Sequence, residues 1–150
     1  LTPRWVLDAL GPFDLDPCAA PEPRPWPTAA RHIALPDDGL AAPWHGRVWM
    51  NPPFDRRVVG AWLRRLAEHG NGIALLHART ETAWFREAWR SADALMFVGH
   101  RLSFHKPDGS KHRANSGAPV VLVAFGERNA AALRASGLPG HIVTAWEAAA

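Results

Sequence analysis

The chain has 150 residues, of which 47% are hydrophobic and 21% charged, a composition that is ordinary for one globular domain. It contains no apolar run of the roughly 18 residues that a membrane span needs, and its first residues do not form a signal peptide. The formal net charge of +3, with eight histidines in addition, permits nucleic-acid binding without demonstrating it.

The chain alternates between short apolar segments, typical of strands, and segments with apolar residues at helical spacing. The predicted strands are, in chain order, 13–16, 32–35, 47–50, 72–77, 94–98 and 119–125. The predicted helices are 55–69, which Gly70 ends, then 80–92 and 127–135. Continuous apolar strands are typical of sheets covered on both faces. This order therefore predicts an α/β fold in a single domain over residues 1–150, with a mostly parallel sheet flanked by helices.

A proline-rich stretch lies between the first two predicted strands, from Pro17 to Pro27. Each proline removes a backbone donor and restricts its own dihedral angle, so the stretch cannot form a helix. Too little chain precedes it for a separate domain, and we therefore expect an ordered surface loop and not a linker between domains.

Two predicted strands end in a polar residue followed by proline. Asp16-Pro17-Cys18 follows the first strand, and Asn51-Pro52-Pro53-Phe54 follows the third. In open α/β sheets, ligands bind beyond the carboxyl ends of the strands. We therefore expect both segments at the same edge of the sheet, and the functional site between them.

The segment Asn51-Pro52-Pro53-Phe54 suits methylation of an exocyclic amine. Such an amine is a poor nucleophile because its lone pair is delocalised into the ring, so acceptors must hold both amine hydrogens. The Asn51 side-chain oxygen and the Pro52 carbonyl can each accept one hydrogen, and the prolines stiffen the turn. Phe54 offers a flat apolar face to a base swung out of the helix. Taken alone, the segment fits a simple turn equally well, but its place between an apolar strand and an amphipathic helix favours catalysis.

Residues that point to one family are spread along nearly the whole chain. They are Thr2-Pro3 with Trp5, residues 13–19, Asp38-Gly39-Leu40, Trp44, residues 46–54, residues 79–82 with Trp84, residues 99–104, and Ala118-Pro119. Together they resemble the phage-type DNA N-6-adenine methyltransferase (Dam) family. The resemblance implies a compact Rossmann-like methyltransferase fold, S-adenosylmethionine as the methyl donor, and an adenine in duplex DNA as the acceptor.

The same resemblance implies roles in donor binding. Asp16, Pro17 and Cys18 resemble the turn that approaches the methionine part of the donor, and Thr2-Pro3 resembles the element that folds over it. Asp38 resembles a carboxylate that contacts the donor's adenosine, although the neighbouring Asp37 is an equal candidate. The chain departs from many methyltransferases in one respect, because Ala19-Ala20-Pro21 stands where they carry a glycine-rich turn.

Five basic residues are candidates for contacts with DNA. Arg79 and Arg101 follow predicted strands, where contact with phosphates or with the donor carboxylate and simple exposure to solvent are equally compatible with the sequence. Lys106, Lys111 and Arg113 lie in a basic, turn-rich loop between strands. This loop is the best candidate for a DNA-contacting element, through phosphates first, and a solvated hairpin tip is the alternative.

No metal site is expected. His32, His45, His77 and His100 lack the spacing of metal ligands, and a single cysteine, Cys18, cannot build a multi-cysteine zinc site.

A lone thiol without disulfides is typical of a cytoplasmic protein. The chain does not begin with Met, which is consistent with a fragment lacking its extreme N-terminus. No pattern indicates an oligomeric state or a DNA recognition sequence.

Two alternatives to adenine methylation remain open from the sequence. In the first, a domain of the same fold methylates the amine of cytosine, RNA or a protein glutamine amide; Asn51 and Phe54 at the ends of the motif favour adenine over cytosine. A DNA-binding module that has lost catalysis is the other alternative. The intact segment from Asn51 to Phe54 argues against such decay, because folding does not require all four residues.

Overall fold

The computed structural model describes residues 1–113 and 115–149, and within them the chain forms four helices and seven strands. The helices are α1 (Arg4–Leu10), α2 (Val59–His69), α3 (Arg86–Ser91) and α4 (Glu127–Ala135). The strands are β1 (Leu15–Asp16), β2 (Arg31–His32), β3 (Val48–Met50), β4 (Gly72–His77), β5 (Ala94–Val98), β6 (Val120–Phe125) and β7 (Gly140–Val143). Over this part of the chain, no helix is both long enough and apolar enough to cross a bilayer.

The strands form one mixed sheet in the order β2-β1-β3-β4-β6-β5-β7. The first four strands of this order pair in parallel, whereas β6 runs antiparallel to both β4 and β5, and β7 runs antiparallel to β5. The expectation of a mostly parallel sheet is wrong, because the longer pairings among the described strands are antiparallel. A strand buried on both faces has the same apolar pattern in either direction. The described residues of the connection from β5 to β6 form no helix, so β6 can return antiparallel beside β5.

The helices flank the sheet on both faces, as the sequence predicts. Alternate residues of a strand point to opposite faces. On β4, Ala74 and Leu76 accordingly pack into the core that contains residues of α2 and α3. Ile73 and Leu75 pack into the other core, with residues of α1 and α4. The domain is therefore a layered α/β structure in which α2 and α3 cover one face of the sheet.

The start of α2 differs from the expected one, whereas its end agrees. The helix begins at Val59 and not at residue 55, because the Asp55 carboxylate accepts hydrogen bonds from the backbone and side chain of Arg57 and forms a turn. Gly70 ends the helix as predicted. Its φ of 72° lies in the left-handed region, and its N–H donates to the Leu66 carbonyl.

Other elements differ from the expected set in extent or presence. β2 covers Arg31–His32 in place of residues 32–35, and α3 is shorter than 80–92 because turns precede it, one closed by the Thr82 hydroxyl. Two elements, α1 and β7, have no counterpart among the predicted ones. α1 spans only two turns, too few for a periodic signal, and β7 is an edge strand that buries no residue fully.

The order of the parallel strands determines where a ligand can bind. After β1 the chain moves outward to β2, and after β3 it moves in the other direction to β4. The connections therefore diverge between β1 and β3 and leave a crevice at the carboxyl ends of these two strands. The segments after β1 and β3 are the two that the sequence selects as candidate site segments.

Candidate active site

The two strand-end segments meet around one cavity of about 330 Å³. Its lining includes Thr2, Asp16, Cys18 and Asn51, with Pro52, Pro53 and Phe54 alongside. The Cys18 thiol also interacts with the backbone of Asn51, which joins the two segments directly. The expected proximity of Asp16 and Asn51 is thus confirmed.

Asn51 is held in one orientation by the N-terminal segment. Its Nδ2 donates a hydrogen bond of 3.0 Å to the hydroxyl oxygen of Thr2, which is 2% exposed. Within residues 1–113 and 115–149, no donor is paired with the Asn51 Oδ1 atom. The side chain therefore has a fixed amide whose oxygen is free to accept a hydrogen bond from a ligand.

Asp16 is a buried carboxylate at the end of β1, only 3% exposed. Its Oδ1 accepts a hydrogen bond of 3.1 Å from the backbone N–H of Cys18, and its Oδ2 accepts one of 2.5 Å from the hydroxyl of Thr28. Burial raises the pKa of Asp16 to about 6, and these hydrogen bonds oppose the rise. Asp16 is therefore mostly ionised at neutral pH and becomes protonated in mild acid.

Phe54 lies at the mouth of the cavity, with its side chain partly exposed. Its ring packs on the imidazole of His77, with centroids 3.9 Å apart, and lies 6.3 Å from the ring of Phe104. Burial, followed by the charge of Arg79, lowers the pKa of His77. The imidazole behind Phe54 is consequently neutral at neutral pH and acts as an aromatic support for the phenyl ring.

A second cavity of about 320 Å³ adjoins the first and shares Cys18 and Pro53 with it. Pro17, Asp37 and Asp38 line it, and most of the lining is apolar. Asp37 and Asp38, the two candidates from the sequence, therefore lie in the same cavity.

The loop that carries Asp38 is held against the β1 segment by a glycine. A Cβ added at Gly39 would lie 1.8 Å from the Pro17 carbonyl oxygen, so only glycine permits this approach. Asp38 also accepts a hydrogen bond of 2.9 Å from the backbone N–H of Leu40, which forms the turn.

The remaining predicted site residues lie farther out. Pro3 is buried at the start of α1 and is not among the residues that line either cavity. Arg79 lines a third cavity, of about 410 Å³, together with Phe54 and His77. Arg101 is exposed and close enough to His77 to lower its pKa.

The basic loop forms a hairpin-like turn. His105 and Lys111 form an antiparallel bridge, and Lys106 and Gly109 close the turn between them. Lys106, Lys111 and Arg113 are all exposed. The alternative interpretation of this loop, a solvated hairpin tip, agrees with its shape, and its contact with DNA stays a prediction.

Sequence reasoning overlooked the contribution of the proline-rich loop to the site. Thr28 donates to Asp16, and Trp26 donates from Nε1 to the Thr2 carbonyl at 3.2 Å. His32 Nε2 accepts hydrogen bonds from the backbone N–H groups of Thr28 and Ala29 and so holds the loop. These contacts join residues from different elements, and their sequence signal is limited to Trp26 within the proline-rich stretch and Thr28 directly after it.

The fold and the site together define an α/β domain in which the turn from Asn51 to Phe54, with its fixed side-chain amide, lies beside two adjoining cavities. The family model described as DNA N-6-adenine-methyltransferase (Dam) matches residues 1–136, and the chain belongs to this family. The chain is similar to the DNA N-6-adenine-methyltransferase of Escherichia phage T1, with 31% identity over 127 residues. That match covers 77% of this chain and 50% of the phage protein, so the chain spans about half the length of this curated relative. No solved structure matches the chain.

Proposed function

We propose that this chain transfers a methyl group from S-adenosylmethionine to the N-6 amine of an adenine that is flipped out of duplex DNA. Membership of the family and the printed activity of the phage T1 relative support the reaction. The observation that carries the proposal is the hydrogen bond from Asn51 to Thr2, which leaves the Asn51 amide oxygen available beside a cavity.

The acceptor pair suits the amine in the transition state. The Asn51 oxygen accepts one amine hydrogen and the Pro52 carbonyl accepts the other, which draws the nitrogen lone pair out of the ring and toward the methyl carbon. Pro52 is buried and proline cannot rotate about its N–Cα bond, so neither acceptor needs much reorganisation. After transfer the amine proton leaves to solvent, and the reaction needs no protein base.

The donor's chemistry fits the two joined cavities. S-adenosylmethionine supplies an electrophilic methyl group on a positively charged sulfur, which departs as a neutral thioether. Asp16, ionised at neutral pH, is the carboxylate available to the donor's positive charges in the first cavity. Asp37 and Asp38 supply acceptors for ribose hydroxyls in the apolar second cavity. Cys18 and Pro53, shared by both cavities, mark the passage between the two ends of the donor.

Phe54 provides the stacking surface for the flipped base. The ring is partly exposed, and His77 supports it from behind at 3.9 Å. Stacking on an aromatic face compensates for part of the stacking that the base loses in the duplex. Arg79, Arg101 and the basic hairpin are the proposed contacts with the flanking phosphates, and the Rossmann-like assignment of the domain belongs to this same proposal.

The direct test is transfer of labelled methyl groups from S-adenosylmethionine to unmethylated duplex DNA, with the modified nucleoside identified by chromatography. Wild type should label N-6 of adenine, and Asn51→Ala should lose roughly 10²–10³-fold in turnover, as expected for one transition-state hydrogen-bond partner. Asn115→Ala, an exposed asparagine outside the site, is the matched control and should keep full activity. Absence of transfer to DNA, RNA and protein by folded wild type would show that the proposal is wrong.

A further inference from the structure

A groove lined by four arginines lies between α2 and α3, on the helical face next to the candidate active site. The cavity has a volume of about 430 Å³, and Arg56, Arg64, Arg86 and Arg90 contribute to its wall. None of these four belongs to the basic residues that the sequence indicates for DNA contact. Clustered like charges repel one another, so this arrangement costs electrostatic free energy unless an anion compensates for it.

The positive charge in the groove is only partly neutralised. Glu87 also lines it, but this carboxylate bonds to Arg90 at 2.5 Å and to the Ser91 hydroxyl at 2.7 Å. Arg56, Arg64 and Arg86 are exposed, and no salt bridge to any of them occurs among the described residues. Arg56 lies close enough to Asp55 to lower the pKa of that carboxyl. The groove therefore presents to solvent at least the two guanidinium groups of Arg64 and Arg86 without an acidic partner among the described residues.

The groove continues into the candidate active site. It shares Arg56 and Trp84 with the cavity of about 410 Å³ that Phe54, His77 and Arg79 also line. Trp84 lies close to α2 at Gly60. A Cβ added to Gly60 would be only 3.1 Å from the Cβ of Trp84, so a glycine at this position permits the close approach. One continuous depression therefore leads from the proposed base-stacking ring to the arginines of α3.

We propose that the α2–α3 groove binds backbone phosphates of duplex DNA next to the target adenine, an inference that rests on the proposed function. Arginine is suited to this partner because its planar guanidinium forms paired hydrogen bonds with phosphate oxygens. Phosphate contacts position a duplex without reading its sequence. The groove thus extends the DNA surface from Phe54 across α2 and α3, in addition to the basic hairpin.

The test compares two double variants that remove the same charge from opposite faces of the sheet. Arg64→Ala with Arg86→Ala removes two groove arginines, and Arg128→Ala with Arg134→Ala removes two arginines of α4. Binding of a fluorescent unmethylated duplex is measured by anisotropy at several salt concentrations. The groove variant should reduce the slope of log K against log[salt] by about two, roughly 0.9 for each lost phosphate contact, and weaken binding at least tenfold. The α4 variant should match wild type.

The outcomes separate this inference from the proposed function. If wild type methylates adenine and the groove variant retains the wild-type salt slope and affinity, the groove inference is overturned and the methyltransferase stands. If the groove variant loses DNA affinity while wild type transfers no methyl group, the groove inference stands and the proposed reaction fails. If polyglutamate or duplex RNA binds through these arginines and duplex DNA does not, the inference is overturned as well.

Discussion

Two buried charged residues, Arg47 and Asp16, lie at opposite ends of the neighbouring strands β3 and β1. Their surroundings differ, because Arg47 contacts other elements of the fold whereas Asp16 lines a cavity. Arg47 precedes β3 and is 3% exposed. Its Nε donates to Asn129 Oδ1 at 2.6 Å, its Nη1 donates to the Pro12 carbonyl at 2.9 Å, and its guanidinium lies 4.3 Å from the centre of the Phe13 ring. These contacts tie β3 to α4 and to the start of the β1 segment. Arg47 is therefore a structural ion.

Asp16, at the carboxyl end of β1, is equally buried but lines a cavity. Its hydrogen-bond partners, Cys18 and Thr28, are neutral, and burial outweighs both these hydrogen bonds and the charge of Arg24, so its pKa rises. A buried charge whose contacts join remote elements stabilises the fold. A buried charge that destabilises the free protein and faces a cavity points to a ligand of opposite charge.

The largest expected effect follows from removing Arg47, the buried charge that stabilises the fold. Arg47→Ala should lower the free energy of unfolding by about 3 kcal/mol, because it leaves the buried Asn129 amide oxygen and the Pro12 carbonyl without donors. Urea denaturation measures the change, and Arg31→Ala, an exposed arginine, is the control. Methyl transfer per folded molecule should stay at the wild-type level. A loss of turnover without loss of stability would contradict the assignment.

The next largest effect concerns Asp16 and the affinity for the donor. Asp16→Asn removes the charge that we assign to the donor, so the affinity for S-adenosylmethionine should fall by roughly 10- to 100-fold, the range for a hydrogen bond to a charged group. Calorimetric titration of the donor measures it, and Asp8→Asn on the exposed face of α1 is the control. Unchanged donor affinity in Asp16→Asn would remove Asp16 from the donor site.

In the protein without the donor, ionised Asp16 should lower the free energy of unfolding, whereas it should favour binding of the donor. The folded pKa of about 6 lies above the unfolded value of 3.8, so Asp16 contributes most to stability when protonated. Relative to Asp16→Asn, wild type should therefore lose stability as the pH rises from 4 through 6, by an amount on the order of 2–3 kcal/mol. Urea denaturation at several pH values checks this. A constant difference between the two proteins across that interval would refute the raised pKa.

The same titration predicts a pH dependence of donor binding in wild type. Affinity should decrease as the pH falls below about 6, approaching tenfold per pH unit, because only the ionised carboxylate attracts the positive donor. Asp16→Asn should show a flat profile over this interval. A parallel decrease in both proteins would assign the titration to another group.

The smallest effect concerns the orientation of Asn51. Thr2→Val removes the oxygen that accepts from Asn51 Nδ2, so the amide loses its fixed orientation. Turnover should fall about fivefold, equivalent to about 1 kcal/mol for one hydrogen bond. The exposed Thr144→Val is the matched control. Turnover equal to wild type in Thr2→Val would mean that the Asn51 amide is oriented without Thr2.

Local sequence determined the elements whose patterns are long or bounded by clear stops. The predicted boundaries are correct for β4, β5 and α4. In these elements, the continuous apolar run or the helical repeat begins and ends at the same residues as the element itself. The polar residues before proline, Asp16 and Asn51, also marked the ends of β1 and β3 and the edge of the sheet where they meet. The proposed role of Asn51 and Pro52 as acceptors could be inferred from the sequence because the motif consists of four consecutive residues.

Tertiary structure alone decided what depends on contacts between distant residues. The direction of β6 follows from its pairing with β4 and β5, and its buried apolar residues fit either direction. The partner of Asn51 is Thr2, 49 positions away, and the raised pKa of Asp16 depends on burial under the proline-rich loop. The α2–α3 groove likewise collects arginines from two helices and from the turn before α2. Propensity and periodicity act over a few residues, whereas burial, pairing and charge clustering are properties of the folded chain.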